Sequence, residues 1–403
     1  MPKKLLVISP HFYPNDFKCN DVAFELVKQG HMVTVLTDIP NYPKGKFLDG
    51  YGYFKKRRET INGVKVIRTG MIPRGNGSGK MLALNYLSFL FTAFFRAVWM
   101  GLFHRYDTII VHQLSPVTVG IPGVIIKKMQ RKAKLLFWVL DLWPESLQVA
   151  GVINNKRVLG AFEWVAKLCY RNSDKILISS KGFEKSICEK GDFADKIVYF
   201  PNWAEDSLTG NAEYELPELP DGFKVMFAGN IGEAQDFDHT MEAAKLLKER
   251  GVKDIHFILV GDGRKRAWVE EYIRENNLND TVHWVGRHPL ESMGKFFASA
   301  DVLYFALKDC VIFNLTCPAK LQAYMSVGKP VLAMINGDGA EIVEEAKCGL
   351  AVPAGASEAL ADAICKMSKM SSSELEEMGK NGKKYCEENF TLEKNMKVLE
   401  GMM

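Results

Sequence analysis

The sequence lacks the spacings that would commit its cysteines to a scaffold. None of the eight, at 19, 169, 188, 310, 317, 348, 365 and 386, forms a CxxC pair or a His/Cys metal spacing. A disulfide framework and a structural zinc site are therefore excluded, and the residues read as free thiols of a reducing cytosol. Excess charge is also scant. With 52 Lys+Arg against 48 Asp+Glu the net charge is +4, too small to argue for a nucleic-acid partner. No repeat period is evident, and no GxGxxG follows the first apolar run, which counts against a dinucleotide-dependent oxidoreductase. The apolar run after Lys3-Lys4 is too short for a signal-peptide core and is expected to be a first β-strand.

What is present is ordinary globular composition, 47% hydrophobic and 25% charged over 403 residues. That length fits two domains of about 150 to 200 residues each. Leu5 to Ser9, a helix from Asn20 to Gln29, Gly30-His31 and a second strand Val33 to Thr37 make a βαβ opening, so a doubly wound parallel α/β sheet is expected. Further strands are expected at Thr108–Val111, Leu135–Leu140, Lys175–Ser179 and Ile197–Phe200. A turn-rich linker follows, from Pro201 to Gly222, and a second α/β domain starts afresh at Lys224–Ala228. The expected domains are 1–203 and 204–389, with a last helix at about 390–403 packing back on the first.

Ligands of such sheets sit at the carboxyl ends of the strands. In the first domain that edge carries His11, Tyr13, Asn15 and Asp16 after strand one, and Asp141 with Glu145 in Asp141-Leu-Trp-Pro-Glu-Ser146. Asp141 suits acid/base or hydroxyl-binding work; capping the next helix is the plainer alternative. In the second domain Gly229-Asn-Ile-Gly232 and Gly261-Asp-Gly-Arg-Lys-Arg266 let backbone N–H groups and cations approach an anion. The stretch Thr316 to Val331 adds a helix N-terminus with Pro318 in its first turn and Lys320 beside it, closed by Gly328 and Pro330. A diphosphate held by helix dipole, glycines and Lys/Arg is the natural reading of that convergence. Asp236-Phe-Asp238 could in principle bridge a metal, but its place before a helix favours capping.

Two stretches point to a surface. Lys55-Lys-Arg-Arg58, with Arg74 and Lys80 further on, is either a solvated loop or a patch for anionic lipid or phosphate. Met81 to Phe103 is apolar enough to span a membrane, yet Asn85, Ser88, Thr92 and Arg96 step by three, four and four along one stripe. It reads as a span, as a helix packed in the first domain, or as a packed helix that also presents an apolar face to a membrane.

Gly30-His31, Pro201-Asn202, Gly229-Asn-Ile-Gly232, Gly261-Asp-Gly263, Val285-Gly286 and Gly328-Lys-Pro-Val331 together resemble the retaining GT-B glycosyltransferases of family 4. Asp141-Leu-Trp-Pro-Glu-Ser146, Pro201-Asn-Trp203 and Pro318-Ala-Lys-Leu-Gln322 resemble its subgroup of bacterial N-acetylfucosamine transferases of O-antigen and capsule synthesis. The resemblance runs over nearly the whole chain. It implies two Rossmann-like domains facing across a cleft, a UDP-sugar donor, a polyprenyl-diphosphate-linked acceptor, no metal and no other cofactor, and a cytoplasmic enzyme peripheral on the inner membrane face. The uracil would lie near Val285 and Arg287, and the diphosphate against Gly229, Asn230, Gly232, Arg264 and Lys320. Lys265, Gln235 and Thr316 would complete the donor side. Asp141, Lys320 and Arg264 would carry catalysis, while His11, Tyr13, Asn15, Asp16 and Glu145 face the acceptor.

The chain departs from that pattern in places. Ala323 stands where relatives place a ribose-binding glutamate, Leu315 falls where an E-x7-E partner would be, and Asn230 and Gln235 replace an Arg and a Lys. A UDP-N-acetylglucosamine 2-epimerase-like enzyme, or a sugar-nucleotide binder weakened at position 323, is therefore kept as an alternative.

Overall fold

A computed structural model of the chain describes residues 1–149, 155–204 and 214–403. Part of the expected linker, 205–213, lies outside the described residues. The chain divides into two compact units, Met1–Pro201 with Leu392–Met403, and Asn202–Thr391.

The first unit runs β1 (Lys4–Ile8), α1 (Lys18–Lys28), β2 (Met32–Thr37), β3 (Arg58–Ile61), β4 (Val64–Arg68), α2 (Gly79–Phe103), β5 (Thr108–Gln113), α3 (Gly120–Met129), β6 (Lys134–Val139), α4 (Glu145–Val149), α5 (Lys156–Asn172), β7 (Lys175–Ile178), α6 (Phe183–Glu189) and β8 (Ile197–Tyr199). Its sheet has the order β3-β4-β2-β1-β5-β6-β7-β8. Leu5, Leu6, Val7 and Ile8 are all buried, the continuous apolar run that a parallel strand covered on both faces requires. The second unit runs β9 (Phe223–Ala228), α7 (Phe237–Glu249), β10 (Ile255–Val260), α8 (Arg266–Glu275), β11 (Val282–Gly286), α9 (Met293–Ser299), β12 (Val302–Ala306), α10 (Val311–Asn314), α11 (Ala319–Ser326), β13 (Val331–Met334), α12 (Asp338–Glu345), β14 (Gly349–Val352), α13 (Ser357–Met367) and α14 (Ser372–Asn389). Its sheet, β11-β10-β9-β12-β13-β14, is parallel throughout, so every strand delivers its carboxyl end to one edge. The last helix, α15 (Leu392–Met402), belongs to the first unit, where Asn395 Nδ2 donates to the Pro201 carbonyl at 2.6 Å and Lys134 Nζ to that of Met402 at 2.9 Å.

Two elements differ from expectation. The cationic run at Lys55–Arg58 leads into an antiparallel hairpin, with Arg58 opposite Ile67. Asn62 and Gly63, at φ 48° and 81°, form its two-residue turn, the geometry that an Asn-Gly pair favours. The helix after Pro318 is eight residues, about two turns, and Pro318 stands at its N-cap rather than in its first turn.

Helix α2 is packed with its polar side inward. Asn85 Nδ2 donates to the Ile72 carbonyl at 2.6 Å, Ser88 Oγ accepts from the Ile72 N–H at 2.8 Å, and Thr92 Oγ1 donates to the Gly70 carbonyl. The stripe thus docks the helix on the 70–72 segment while Phe89, Ala93, Ala97 and Met100 fill the interior. Gly101 admits Met129 of α3, whose Sδ would stand 2.7 Å from any Cβ there. Leu84, Leu87, Phe91, Phe94, Phe95, Leu102 and Phe103 face outward. The register is open to test by paired substitutions. Phe89, 4% exposed, should cost about 3–5 kcal/mol on Phe89→Ala. Phe91, 65% exposed, should cost under about 0.5 kcal/mol on Phe91→Ala. Urea unfolding followed through the first unit reads both, and equal losses would overturn the inside-out packing.

Candidate functional site

In the second unit the loops after β9 and β10 cross so closely that only glycine fits. A Cβ on Gly261, which has φ 140°, would lie 1.9 Å from the Gly229 carbonyl oxygen, and one on Gly263 would lie 2.2 Å from that of Ile231. A Cβ on Gly229 would meet Lys320 Cε at 2.9 Å. This last approach lets Lys320, in the first turn of α11, thread beneath the loop. Its Nζ donates to Gln235 Oε1 at 2.9 Å and sits 4.9 Å from the Phe227 ring centroid. Burial pushes its ammonium down to about 8. A cation held there gains from any anion that enters.

Gly229, Asn230, Gly261, Asp262, Arg287 and His288 line a cavity of about 460 Å³ beside this loop pair. Gly232 closes the loop, its N–H donating to the Asn230 carbonyl at 3.1 Å. The cavity's far wall is pinned by His288. Nε2 lies 2.8 Å from the Val285 carbonyl, which can only accept, so the ring proton is on Nε2, and Nδ1 accepts from the Tyr214 hydroxyl at 2.7 Å. Trp284 Nε1 donates to the Gly261 carbonyl at 2.9 Å. Neither Trp284 nor His288 stood out in the sequence, because each acts through the backbone that it holds.

Other expected donor-side residues go elsewhere. Lys265 is buried against Asp238, its Nζ donating to that carboxylate and lying 4.4 Å from the Trp268 ring centroid. This ion pair corrects the reading of Lys265 as a phosphate contact and of Asp238 as part of a cap. Asp236 precedes α7 with φ 46° and bonds the His239 ring at 2.8 Å, so it too provides no side-chain cap. The Thr316 hydroxyl donates to the Ile312 carbonyl at 2.6 Å. Arg264 is exposed. Ala323 is half-buried on α11, next to Gln322, whose Nε2 donates to the Asn202 carbonyl at 3.0 Å.

In the first unit His11 is buried in a network with Arg74, one of the cations noted in the sequence, and with two residues not singled out there, Asp38 and Asn41. Its Nδ1 is 3.1 Å from Asp38 Oδ2 and its Nε2 is 3.3 Å from Arg74 Nη2. Asn41 Nδ2 also donates to Asp38 Oδ2, at 3.2 Å. Burial raises the Asp38 carboxyl against the pull of His11, Arg68 and Arg74. The signal for Asp38 was its place directly after β2, at the same sheet edge as His11. Tyr13 is exposed and its carbonyl accepts from Arg68 Nη2 at 2.7 Å; Asp16 is exposed. Asn15 receives Asn20 Nδ2 on its carbonyl at 2.7 Å, while its own Nδ2 is buried without a hydrogen-bond partner.

Asp141 follows β6 as expected, and both carboxylate oxygens are engaged: Ser115 Oγ and Trp143 Nε1 donate to Oδ2, the latter at 3.0 Å, and Ser146 Oγ donates to Oδ1. Glu145 Oε1 takes Lys190 Nζ and Ser186 Oγ, the latter at 2.7 Å, and its Oε2 is buried without a hydrogen-bond partner. That buried ion pair turns Glu145 to the interior of its own unit.

Comparison with known proteins gives this arrangement a class. Residues 19–203 match the glycosyl transferase 4-like domain and residues 222–370 the domain described as glycosyl transferases group 1. The fold matches the UDP complex of Anabaena Alr3699/HepE with a TM-score of 0.69 at 15% identity, over 100% of this chain and 99% of that one. It matches sucrose-phosphate synthase of Thermosynechococcus elongatus at 0.72 and 18% identity, over 99% and 98%. The chain is a glycosyltransferase of the GT-B fold, with a family 4-like first domain and a group 1 second domain. It is 25% identical over 351 residues, 81% of each chain, to WcaI of Escherichia coli (strain K12), "Putative colanic acid biosynthesis glycosyl transferase". It is 27% identical over 248 residues, 57% of this chain and 60% of the other, to "Probable glycosyltransferase WbjE" of Pseudomonas aeruginosa.

The His11 network makes a spectroscopic prediction. A guanidinium has no lone pair, so Nε2 must accept from Arg74 and the ring proton must lie on Nδ1, donating to Asp38. Ring ¹⁵N shifts should therefore show a bare Nε2 and a protonated Nδ1 for His11, and Arg74→Met combined with Asp38→Ala should release that preference. The opposite tautomer in the unaltered protein would refute the assignment.

Proposed function

We propose that the chain transfers a sugar, N-acetylated or deoxy hexose in type, from a UDP-sugar to a polyprenyl-diphosphate-linked glycan, with retention, in bacterial surface polysaccharide synthesis. The observation that carries the donor side is the partly desolvated Lys320 threaded beneath Gly229, next to a cavity with Arg287 on its wall. The relatives named for colanic acid synthesis support the pathway class, and the UDP complex of a structural neighbour supports the donor class.

On this reading the diphosphate lies on Gly229, Asn230, Gly232 and Lys320, with Arg264 reaching in from solvent. A lysine and arginines supply the charge compensation that a metal would otherwise provide, so no metal is assigned. In the front-face step the acceptor hydroxyl attacks C1 from the side of the leaving group. The C1–O bond to UDP breaks, and the departing phosphate oxygen takes the acceptor's proton. Protein catalysis is then electrostatic stabilisation of UDP, and no carboxylate nucleophile is needed. Asp141, with both oxygens already bonded, suits orienting its loop toward sugar or acceptor better than attacking C1. The enzyme would act from the cytoplasm, peripheral on the inner membrane face, with the outer side of α2 on the lipid.

Two measurements test the proposal. Mass spectrometry of reactions with a panel of UDP-sugars and lipid-linked acceptors should show one added sugar per acceptor and UDP release that depends on acceptor. Epimerised UDP-N-acetylglucosamine formed without acceptor would sink it in favour of the epimerase reading. Calorimetry with UDP reports on Lys320. Binding favours the charged lysine, so above about pH 8, where the free side chain loses its proton, affinity should fall toward tenfold per pH unit. Lys320→Met should weaken UDP by about 10- to 100-fold and abolish that dependence.

A further inference from the structure

The outer side of α2 adjoins a cationic pocket that the donor chemistry does not use. Arg57, Arg96, Thr92, Phe95 and Trp99 line a hollow of about 390 Å³ between α2 and the β3–β4 side of the unit. Arg57 is fixed by backbone acceptors, Nε on the Arg68 carbonyl and Nη1 on that of Tyr53, both at 2.9 Å. Arg96 lies 5.5 Å from the Trp99 ring centroid. Among the described residues no carboxylate pairs with Arg57, Arg58, Lys65 or Arg96, and the nearby Glu59 is already taken by Arg68 at 2.7 Å. Partial burial holds the Arg96 guanidinium below its ordinary range, and Arg58 and Arg57 push it the same way, so like charges are gathered here without a counter-ion.

An apolar groove of about 620 Å³, lined by Ile72, Leu84, Leu87, Phe91, Phe94 and Phe95, continues from the same hollow, and Phe95 belongs to both. A guanidinium pair beside an aliphatic and aromatic channel is complementary to an amphiphile with an anionic head. Neither feature suits a peptide or a free sugar as well, because the groove is lined almost wholly by apolar side chains and the pocket by no carboxylate.

We propose that this surface is a headgroup site for an anionic phospholipid of the bilayer, with the lipid phosphate on Arg57 and Arg96 and its chains along Leu87, Phe91 and Phe95. A bilayer lipid, rather than one isolated amphiphile, is the occupant because exposed apolar side chains continue along α2 from Leu84 to Phe103, well past the groove. The planar guanidinium forks bind a phosphate bidentately, which an ammonium cannot do. Orientation follows from the site: the helix lies in the interface with the hairpin cations at headgroup depth. The inference rests on the membrane part of the proposed function and adds a defined lipid contact to it.

The test is vesicle flotation of the full chain with phosphatidylcholine alone and with phosphatidylcholine containing phosphatidylglycerol. The unaltered protein should bind the anionic vesicles at least about tenfold better. Arg96→Gln makes the sharpest variant, since Arg96 is half-buried and no hydrogen bond to it is seen among the described residues. It should lose most of that preference, while Lys55→Gln, an equal change of charge outside the pocket, should keep it to within about twofold. Equal losses in the two variants would mean diffuse attraction and would overturn the site. Binding of inorganic pyrophosphate to the lipid-free protein that Arg96→Gln abolishes, with flotation on anionic vesicles unchanged in that variant, would assign the pocket to a small anion and would also overturn it. Thermal melting of each variant, unchanged from the parent, excludes unfolding as the cause. Equal binding to both vesicle types, abolished by Phe91→Ser with Phe95→Ser, would remove the headgroup site yet leave the membrane reading standing. No binding to either vesicle would remove the membrane reading as well.

Discussion

The candidate site of the second unit depends on one steric constraint, the crossing of the loops after β9 and β10 at van der Waals distance. Gly261 must lack a Cβ for the Gly229 carbonyl to pass, and Gly229 must lack one for Lys320 to lie beneath it. Once the three are interlocked, the lysine has traded water for Phe227 and one amide oxygen, and its charge is poorly compensated. A site built this way holds its electrostatic strength in the fold before any ligand arrives. An exposed lysine would have to be desolvated and ordered at the moment of binding, which costs affinity.

The same unit shows why Lys265 cannot share that work. It is one residue from Arg264 and equally cationic, yet its side chain points into α7 and α8 territory, where Asp238 neutralises it. The pair is half-buried, with the Asp238 side chain 42% exposed, so it adds little net stability. It fixes the turn that carries Gly263, and so positions the loop rather than the ligand.

Much of the fold was legible because parallel strands buried on both faces announce themselves as short apolar runs, as in Leu5–Ile8 and Val331–Met334. Glycine clusters at strand ends likewise marked the close crossing of the loops after β9 and β10. The β3–β4 hairpin was missed although Asn62-Gly63 is a strong turn signal, because the cations at 55–58 drew the reading toward solvent. Side-chain direction was not legible at all. Lys265 against Arg264, Glu145 against Asp141, and the His11–Asp38–Arg74 network depend on partners 27 to 63 residues away in two of its links, and no local pattern encodes them.

Helix α2 shows the limit of periodicity from the other direction. The three-four-four spacing of Asn85, Ser88, Thr92 and Arg96 was visible, but a polar stripe ordinarily faces water. Here its first three members face the protein. The 70–72 segment is irregular backbone, with carbonyl and N–H groups unpaired by a sheet, and a buried polar group must find a partner. Asn85, Ser88 and Thr92 are those partners, which frees the helix to turn its aromatic side outward. Arg96 ends the stripe one turn further on, with no hydrogen bond to it among the described residues, and so a cation stands at the margin of an otherwise apolar face. Exposing so much apolar side chain would be a liability in a freely soluble protein. The hydrogen bonds on the inner side hold the helix in that orientation, and the position of Arg57 and Arg96 beside it gives the exposed face a charge of one sign at its border. On the proposed reading, hydrophobic area and local charge select the same partner, an anionic lipid surface, although the chain as a whole carries only a small net charge.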